Sequence, residues 1–357
     1  MIPRRPAIAL LAALALAIPS PTYPCSSFAC SNKGALVFAT NYDNSWAPGY
    51  LFVNARNIRK SGWERGTTGR VAAWTSRHGS VTISVVGPQI AWGGMNEKGL
   101  AFSTMLLAGT RVPPPDERPP LAGALWWQYM LDTCATVEDV KRAAQSVRIT
   151  DTEDHYLVCD GTGACAVVEV RRGKVQFRGG NDLPVKALTN APYGDCLGQL
   201  GKWHSAPTSP YHSFNRFSRL AAGIPRLERG RDSEGIQQAF DLLADVASTQ
   251  TRWSLVLDTG QRVFHLRSYE NRRTRYVDLK RIDFARGGPM LMLDAHANLE
   301  GDITGAFHPY RHDEIAPHLL AALAHFRPEM PQDTALAILA HVERFTSEPA
   351  GHGPGTP

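Results

Sequence analysis

The sequence predicts an α+β protein of one main domain, with mostly antiparallel strands in two stacked layers and helices on both outer faces. Strand-like runs occur in long blocks separated by helical patterns, and they do not alternate with single helices as βαβ units would. Of the 357 residues, 43% are hydrophobic and 20% are charged. This composition is typical of a globular chain that is long enough to bury a sizeable core.

The strand predictions follow from alternating or continuous apolar runs bounded by turn residues. A first strand begins at Cys25 and pairs, across a turn at 31–34, with the strand at 35–42. The other predicted strands are 51–54, 71–74, 80–86, 90–92, 100–107, 156–159, 165–170, 174–178, 185–188, 251–258, 262–268, 274–278 and 290–294. A glycine-rich turn at 93–99 joins two of them, and a proline-rich loop at 112–120 has the length of a lid or rim segment.

Helical spacing of apolar residues predicts the helices. They are 121–133, 137–146, 217–222 and 234–247, followed by two helices within 315–345 that break near 328–331. Thr136 is expected to cap the second helix, because Asp139 follows three residues later. Residues 194–213 are expected to be irregular, and the glycine- and proline-rich end of the chain is expected to be disordered.

The first 24 residues have the layout of a secretory signal. Arg4 and Arg5 precede an apolar stretch at about 7–18 that is too short to span a bilayer. We therefore expect a periplasmic or secreted protein with no stable membrane insertion once the leader is removed. The predicted organisation is a leader or propeptide at 1–24, the main domain at 25–310 and a helical extension with a disordered tail at 311–357.

Cys25 becomes chemically distinctive if the leader ends just before it. It would then carry a thiol nucleophile and a free α-amine, whose usual pKa of about 7.7 allows it to accept the thiol proton near neutral pH. Two other interpretations remain open at this point. A disulfide is common in an exported protein, and Cys30 is close by. A lipid anchor would normally need small residues before the cysteine, whereas Tyr23 and Pro24 stand there.

Charge and the remaining cysteines and histidines narrow the classes of function. The formal net charge is +5, and the leader carries two arginines and no acid, so the rest is about +3, which gives no footprint for nucleic acid. No cysteine pair has CxxC spacing, and the twelve histidines form no HExxH motif or compact cluster, so no metal site is predicted. Cys159 and Cys165 bracket a turn between two strands and are expected to form a disulfide.

Two polar residues at strand ends are candidates for a site around Cys25. Asp43 directly follows the strand at 35–42, and the hairpin would bring it back beside Cys25, where its carboxylate could hold the α-ammonium. Asn190 follows the strand at 185–188, where its amide could point into a site. Both residues are also common turn formers, so each has a structural interpretation as well.

Several short motifs in a fixed order give the chain a resemblance to a known family. They are Cys-Ser-Ser-Phe at 25–28, Asn-Tyr-Asp at 41–43, Asn-Glu-Lys-Gly-Leu at 96–100, Leu-Thr-Asn-Ala-Pro at 188–192 and Arg-Phe-Ser-Arg at 216–219. Together they resemble the choloylglycine hydrolase family of N-terminal-nucleophile amidases, which includes penicillin V acylases and bile salt hydrolases. The likeness spans about 25–288, and the run at 251–280 is most similar to the Gram-negative penicillin acylase branch.

The resemblance implies a four-layer αββα sandwich and a role for each matching residue. Cys25 would be the nucleophile and its own amine the base, while Asp43 would bind that amine. The side-chain amide of Asn190 and the backbone N–H of Leu106 would form the oxyanion hole, and Arg216 would order the surroundings of Cys25. No cofactor is implied. The expected substrate is a small N-acyl amide, namely penicillin V, a conjugated bile acid or an acyl-homoserine lactone, and a homotetramer is expected by resemblance alone.

Two positions depart from the family pattern. Thr40 stands where the family usually has Arg or Lys, so a positive charge that would lower the pKa of the thiol is missing. Leu106 stands where the family often has Asn or Tyr, which we expect to alter the shape of the pocket more than the mechanism. The alternatives are an acyltransferase of the same fold and an inactive, disulfide-stabilised binding protein.

The cleavage point of the leader is also open. Pro24 is a poor residue to precede a signal-peptidase cut, and the small residues Ala15 and Ala17 fit better. A cut after Ala17 would leave 18–24 as a propeptide, which we expect the enzyme to remove with its own thiol.

Overall fold

A computed structural model describes residues 24–32, 35–63, 71–202, 212–229, 235–285 and 287–346. Apart from Pro24, the predicted leader lies outside the described residues, as do the tail beyond 346 and part of the turn at 31–34. The strands are β1 Ser26–Asn32, β2 Ala35–Asp43, β3 Tyr50–Asn54, β4 Arg59–Ser61, β5 Ala73–Thr75, β6 Ser80–Ser84, β7 Gly93–Asn96, β8 Ala101–Leu106, β9 Pro120–Leu121, β10 Arg148–Ile149, β11 Asp154–Cys159, β12 Cys165–Arg171, β13 Lys174–Gly179, β14 Ala187–Thr189, β15 Thr251–Asp258, β16 Val263–Ser268, β17 Arg275–Asp278, β18 Leu291–Asp294, β19 Gly301–Asp302 and β20 His308–Pro309. The helices are α1 Gly123–Thr133, α2 Val137–Ser146, α3 Tyr193–Gln199, α4 Ser213–Glu228, α5 Gly235–Asp245, α6 His312–Phe326 and α7 Gln332–Glu343.

Two large sheets form the centre of the molecule. The first has the strand order β14-β1-β2-β15-β16-β17-β19, and the second has the order β13-β12-β11-β8-β7-β6-β3-β18-β20. Within these two sheets, neighbouring strands are antiparallel except at the short β17–β19 contact. The mainly antiparallel arrangement agrees with the absence of βαβ alternation in the sequence.

Helices cover the outer faces of both sheets. On the first sheet, α4 contacts β1 and β14, and α5 contacts β2 and β15. On the second sheet, Trp127 of α1 stacks on Phe102 of β8 with ring centroids 4.5 Å apart, and Asn96 at the end of β7 donates to the carbonyl of Leu131 at 2.9 Å. The predicted α+β sandwich of four αββα layers is therefore confirmed.

The helices predicted at 121–133, 137–146 and 234–247 correspond to α1, α2 and α5. The α2 helix begins after Thr136, and a capping box with Asp139 is present as expected. The predicted pair near the C-terminus corresponds to α6 and α7. Ile315 and Leu319 of α6 are buried, because the helix packs beside β3 and β18. The helix therefore adds to the core on the side of the second sheet.

Two segment predictions are wrong. Residues 90–92 are not a strand, and the following glycines, predicted as a turn, form β7 between β6 and β8. Gly94 fits there because an added Cβ would lie 2.6 Å from the carbonyl oxygen of Val81, so close strand packing requires glycine. The turn itself is shorter and ends at Gly99, whose φ is +88°.

The segment 194–213, predicted as irregular, also needs correction. It begins with α3, and α4 starts at Ser213 and reaches Glu228, which is longer than the predicted 217–222. Pro225 lies inside α4 and lowered the helical signal of its second half. Residues 203–211 lie outside the described residues.

A buried ion pair joins the small β4–β5 sheet to α1. Lys60 and Asp132 are both buried, with their charged atoms 2.9 Å apart. Burial lowers the pKa of Lys60. Trp74 donates to the same carboxylate at 2.7 Å and Gln128 donates to it at 2.8 Å, so both carboxylate oxygens have partners. A complete buried ion pair changes the free energy of unfolding little, whereas removing one partner lowers that free energy strongly.

We expect Asp132→Ala to lower the free energy of unfolding by about 3–5 kcal/mol, because it leaves the Lys60 ammonium buried without a counter-ion. Chemical denaturation measures this loss. The matched control is Glu138→Ala, which removes a surface ion pair with Lys141 and should cost less than about 1 kcal/mol. Equal losses in the two variants would contradict the role assigned to the buried pair.

Candidate active site

Strand pairing fixes the position of Cys25. Ser26 at the start of β1 pairs with Asn41 of β2 on one side and with Thr189 of β14 on the other. Because these pairings are antiparallel, the preceding residue, Cys25, lies between the positions of Tyr42 and Asn190. The residue is 3% exposed.

The thiol of Cys25 faces the space between the two sheets. Side chains alternate along a strand, so Cys25 and Ser27 point to the same side. Ser27 donates to Thr40 at 2.8 Å and contacts Ser103 of β8 in the opposite sheet, which identifies this side as the inner one. Asn41 points the other way and donates to the carbonyl of Leu243 in α5 at 2.8 Å.

All six cysteines are described. The predicted Cys159–Cys165 disulfide is present and joins directly opposed residues of β11 and β12. Cys25 and Cys30 are both free, so the alternative of a bridge between them is wrong. Five residues of extended strand separate them by roughly 17 Å, far beyond the reach of a disulfide.

The surroundings of the thiol set its acidity. The backbone N–H of Asp43 donates to Sγ of Cys25 at 3.5 Å. Burial and, after it, the negative charge of Asp43 raise the pKa of the Cys25 thiol to about 12, while the hydrogen bond from Asp43 and the positive charge of Arg216 act in the opposite direction. In the chain as described, which continues through the buried Pro24, the sulfur is therefore a protonated thiol at neutral pH.

Asp43 has one oxygen with a partner and one without. Thr251 donates to Oδ1, while Oδ2 is buried and has no hydrogen-bond partner among the described residues. Burial raises the pKa of Asp43 to about 7, against the hydrogen bond from Thr251 and the positive charges of Arg216 and Arg252. An unpaired, buried carboxylate oxygen beside Cys25 is a suitable acceptor for an ammonium group.

Arg216 ties together three parts of the site. It lies in the first turn of α4 and is 1% exposed. One Nη donates to the backbone carbonyl of Cys25 and, at 2.7 Å, to the hydroxyl of Ser26, and the other donates to Oδ1 of Asn190 at 3.0 Å. The guanidinium thus fixes the backbone of the candidate nucleophile relative to the strand on its other side.

Asn190 and Leu106 are neighbours. The side-chain N–H of Asn190 donates to the carbonyl of Leu106 at 3.0 Å, and because Oδ1 accepts from Arg216, the orientation of the amide is determined. Asn190 keeps a second N–H. The backbone N–H of Leu107 donates to the carbonyl of Glu153 at 2.7 Å. Because hydrogen-bonded and non-hydrogen-bonded pairs alternate along antiparallel strands, the N–H of the adjacent Leu106 points away from β11.

Asp154 is a site residue that the sequence analysis missed. It begins β11, two residues before the predicted start of that strand, and it lies directly opposite Leu106. Burial raises its pKa to about 7, and its charge raises the pKa of Cys25. No motif marked this aspartate, and only the pairing of β8 with β11 brings it to the site.

Aromatic side chains form a wall beside the same inner face. Tyr42 lies edge-on to Trp92 with centroids 5.2 Å apart and stacks on Trp253 at 4.2 Å. Trp46 follows Asp43 by three residues, and its backbone N–H donates to Asn44 at 2.8 Å. Phe326, at the end of α6, lies 5.5 Å from Trp92 and 6.4 Å from Trp46 by ring centroids.

The structure shows what surrounds Thr40, the residue that stands where the family usually has Arg or Lys. Thr40 is buried and accepts the hydrogen bond from Ser27, whose hydroxyl also contacts Ser103 and Met105. A set of small hydroxyl groups therefore occupies the space beneath Cys25 at this position.

Among the described residues, no group of three or more histidine, cysteine or acidic side chains is arranged to hold a metal ion. None of the described helices is long and apolar enough to span a membrane.

The sandwich and the cysteine at the start of an inner strand define the fold class of N-terminal-nucleophile hydrolases. Residues 25–222 match the model of the linear amide C–N hydrolases of the choloylglycine hydrolase family. The chain belongs to this family and is a hydrolase acting on C–N bonds in linear amides.

Similar proteins agree with this assignment. A penicillin V acylase from Pectobacterium atrosepticum is 26% identical over 321 residues, covering 74% of this chain and 84% of that protein. The structure of a penicillin V acylase from Agrobacterium tumefaciens superposes with a TM-score of 0.69 at 23% identity, over 80% of this chain and 98% of that one. A conjugated bile acid hydrolase mutant from Clostridium perfringens gives a TM-score of 0.64 at 17% identity, over 78% and 98% of the two chains.

The raised pKa of Asp43 generates a prediction about stability and pH in the Cys25→Ala chain, which is expected to keep Pro24 attached. The pKa of Asp43 is about 7 in the folded chain, against about 3.9 for an aspartate in the unfolded chain. The free energy of unfolding therefore falls as pH rises between these two values, and the full loss remains above them. Adding Asp43→Asn removes the penalty. We therefore expect its stabilising effect on the melting temperature to grow from pH 4 to pH 8.

Thermal unfolding of the single and double variants across this range measures the difference. Asp241→Asn, a change at an exposed carboxyl on α5, is the matched control and should show no comparable growth. A difference for Asp43→Asn that shrinks with rising pH would contradict the prediction.

Proposed function

We propose that this chain is an exported cysteine amidase of the penicillin V acylase type, in which Cys25 is the N-terminal nucleophile of the mature protein. The observation that carries the proposal is the convergence of four groups. The Cys25 sulfur, the unpaired oxygen of Asp43, the amide of Asn190 and the guanidinium of Arg216 lie together at the start of β1.

The mature site requires the bond between Pro24 and Cys25 to be cut, because the nitrogen of Cys25 is otherwise an amide. Cutting it produces an α-amine beside Asp43. As an ammonium, this amine would interact with the unpaired Oδ2 and stabilise the carboxylate form of Asp43. Residues 1–24 then act as a leader or propeptide of a periplasmic or secreted enzyme, and 25–310 act as the catalytic domain.

The reaction follows from these positions. The α-amine accepts the proton of the Cys25 thiol, and the sulfur attacks the carbonyl carbon of the substrate amide. The second N–H of Asn190 and the N–H of Leu106 donate to the oxyanion, where the loss of one donor typically costs about 3–4 kcal/mol. The proton passes to the leaving amine as the C–N bond breaks, and water then hydrolyses the thioester. Arg216 acts as a positioning residue, because it holds Cys25 and Asn190 in place.

The aromatic wall supports an acyl group with an aryl ring. Trp46, Trp92 and Phe326 offer flat apolar faces beside the inner face that holds Cys25. Rings that pack on such faces are stabilised by offset or edge-on contacts. We therefore propose phenoxyacetyl amides such as penicillin V as substrates ahead of conjugated bile acids and acyl-homoserine lactones. Assembly as a tetramer stays a prediction.

We expect the purified exported protein to release amine from penicillin V and Cys25→Ala to be at least about 1,000-fold slower, because it lacks the nucleophile. Cys30→Ala, which changes an equally buried cysteine of β1, is the matched control and should retain activity. Acid quenching during turnover should also trap an acyl group on the Cys25 peptide. Full activity of Cys25→Ala would refute the proposed mechanism.

The N-terminus of the active protein provides a separate test. We expect intact-mass and N-terminal analysis of the exported wild type to show a chain that starts at Cys25. Cys25→Ala should instead keep residues of the propeptide if the thiol makes the final cut. A fully active wild-type protein that still starts at Ile18 would contradict the requirement for a free Cys25 amine.

A further inference from the structure

A buried glutamate interrupts an otherwise apolar strand of the second sheet. The strand β12 reads Cys-Ala-Val-Val-Glu-Val-Arg, and Glu169 is 2% exposed. A charged side chain loses its hydration when it is buried, so it persists in a core only where hydrogen bonds or opposite charges replace the lost water. The partners of Glu169 therefore indicate its role, and the proposed mechanism does not use this residue.

Glu169 connects the second sheet to the segment that carries Asn190. Its Oε1 accepts the backbone N–H of Tyr193, the first residue of α3, at 2.9 Å. Nδ1 of His155, the directly opposed residue of β11, lies 3.6 Å from the same oxygen, and Nε of Arg178 lies 3.9 Å from Oε2. Burial acts to raise the pKa of Glu169, but His155 and the hydrogen bond from Tyr193 hold that pKa below its usual value. The side chain is therefore a carboxylate at neutral pH.

The segment between Asn190 and Tyr193 is short and stiff. The backbone N–H of Ala191 donates to the carbonyl of Thr189 at 2.9 Å, and the ring of Pro192 fixes its φ. Tyr193 itself is fully buried. Holding the N–H of Tyr193 therefore limits where the backbone of Asn190 can lie.

The other contacts of Asn190 leave this task open. Its amide accepts from Arg216 and donates to the carbonyl of Leu106, and these two hydrogen bonds set the direction of the amide. The position of its Cα depends on how the turn after β14 is held. Arg216 reaches this turn from α4, and Glu169 reaches it from the second sheet.

We propose that Glu169 is a positioning residue for the oxyanion hole, which acts through the N–H of Tyr193 on the amide of Asn190. The inference rests on the proposed role of Asn190 and adds a residue to it. Misplacing a group by about 1 Å can slow a reaction about 100-fold, because a displaced donor stabilises the transition state less. The substrate still binds through its acyl group, so loss of Glu169 should lower kcat and leave KM nearly unchanged.

The competing explanation is that Glu169 only stabilises the fold by accepting the first N–H of α3. Asp160 provides a matched control, because it is also buried and its Oδ2 accepts the backbone N–H of Val137, the first residue of α2, at 2.8 Å. Asp160 follows the last residue of β11, and the extended strand separates it from Asp154 by roughly 20 Å. Loss of either carboxylate should lower the melting temperature, but only loss of Glu169 should lower kcat.

The test measures hydrolysis of penicillin V by the mature enzyme. We expect Glu169→Ala to lower kcat about tenfold, with KM changed by less than about twofold. Glu169→Gln keeps an oxygen acceptor for Tyr193 and should retain at least about a third of the wild-type kcat. Asp160→Ala and Asp160→Asn should keep the wild-type kcat. If Glu169→Ala does not fold, Glu169→Asp takes its place, because its shorter side chain draws the carboxylate away from Tyr193.

A double-mutant cycle then separates action through Asn190 from a general effect on activity. Asn190→Ala alone should lower kcat about 100-fold, because an oxyanion donor is lost. Adding Glu169→Ala should lower kcat by less than about twofold more, since the group that Glu169 positions is already absent.

A further loss of about tenfold in the Asn190→Ala background would overturn the proposal, and so would equal effects of Glu169→Ala and Asp160→Ala on kcat. Either result would leave the amidase mechanism intact. Full activity of Asn190→Ala, or failure of the wild type to cleave penicillin V, would instead refute the proposed mechanism or function, and the role of Glu169 with it.

Discussion

The pairing of β1 on both sides is the constraint on which the site depends. A strand paired with β2 and β14 cannot shift by one residue without turning Cys25 to the helix-covered face and losing two sets of hydrogen bonds. The same register places Asn190 on one side of Cys25. On the other side it places Tyr42 opposite Cys25, and Asp43 is the next residue of that strand. Residues far apart in the chain therefore meet because of backbone pairing, before any side chain contributes.

The buried ionisable side chains of the site lower the stability of the fold. Asp43, Asp154 and the Cys25 thiol all have pKa values raised by burial, which means that their charged forms are poorly solvated where they lie. Arg216 is the buried cation among them, and its Nε is left without a partner among the described residues. Buried polar groups without partners are common where a site is organised for a reacting molecule rather than for stability.

The sequence was most informative where a local pattern determines the outcome. The Thr136 cap, the Cys159–Cys165 hairpin and the motifs around Cys25 each involve residues close together in the chain. The predicted sandwich followed from the order of the strand-like runs and helical patterns. The prediction failed at β7, because its glycines are selected by close strand packing and have the composition of a turn.

The site residues that were missed are those that depend on tertiary structure. Asp154 has no motif, and its position follows from the register of β8 with β11. Phe326 reaches the aromatic wall only because α6 packs along β3 and β18 and ends beside Trp46. Local periodicity predicted the helix correctly, but it contains no information about where the end of that helix lies.

Thr40 shows how the electrostatics of this chain differ from the family pattern. With a basic residue at this position, the thiol would have a permanent positive neighbour before and after removal of the leader. Here the position is occupied by a hydroxyl bonded to Ser27, and Arg216 directs its hydrogen bonds to the backbone of Cys25 and to Asn190. The charge that stabilises a thiolate must then come mainly from the α-amine itself. On the proposed mechanism, cutting the bond after Pro24 creates the base and the positive charge in one step.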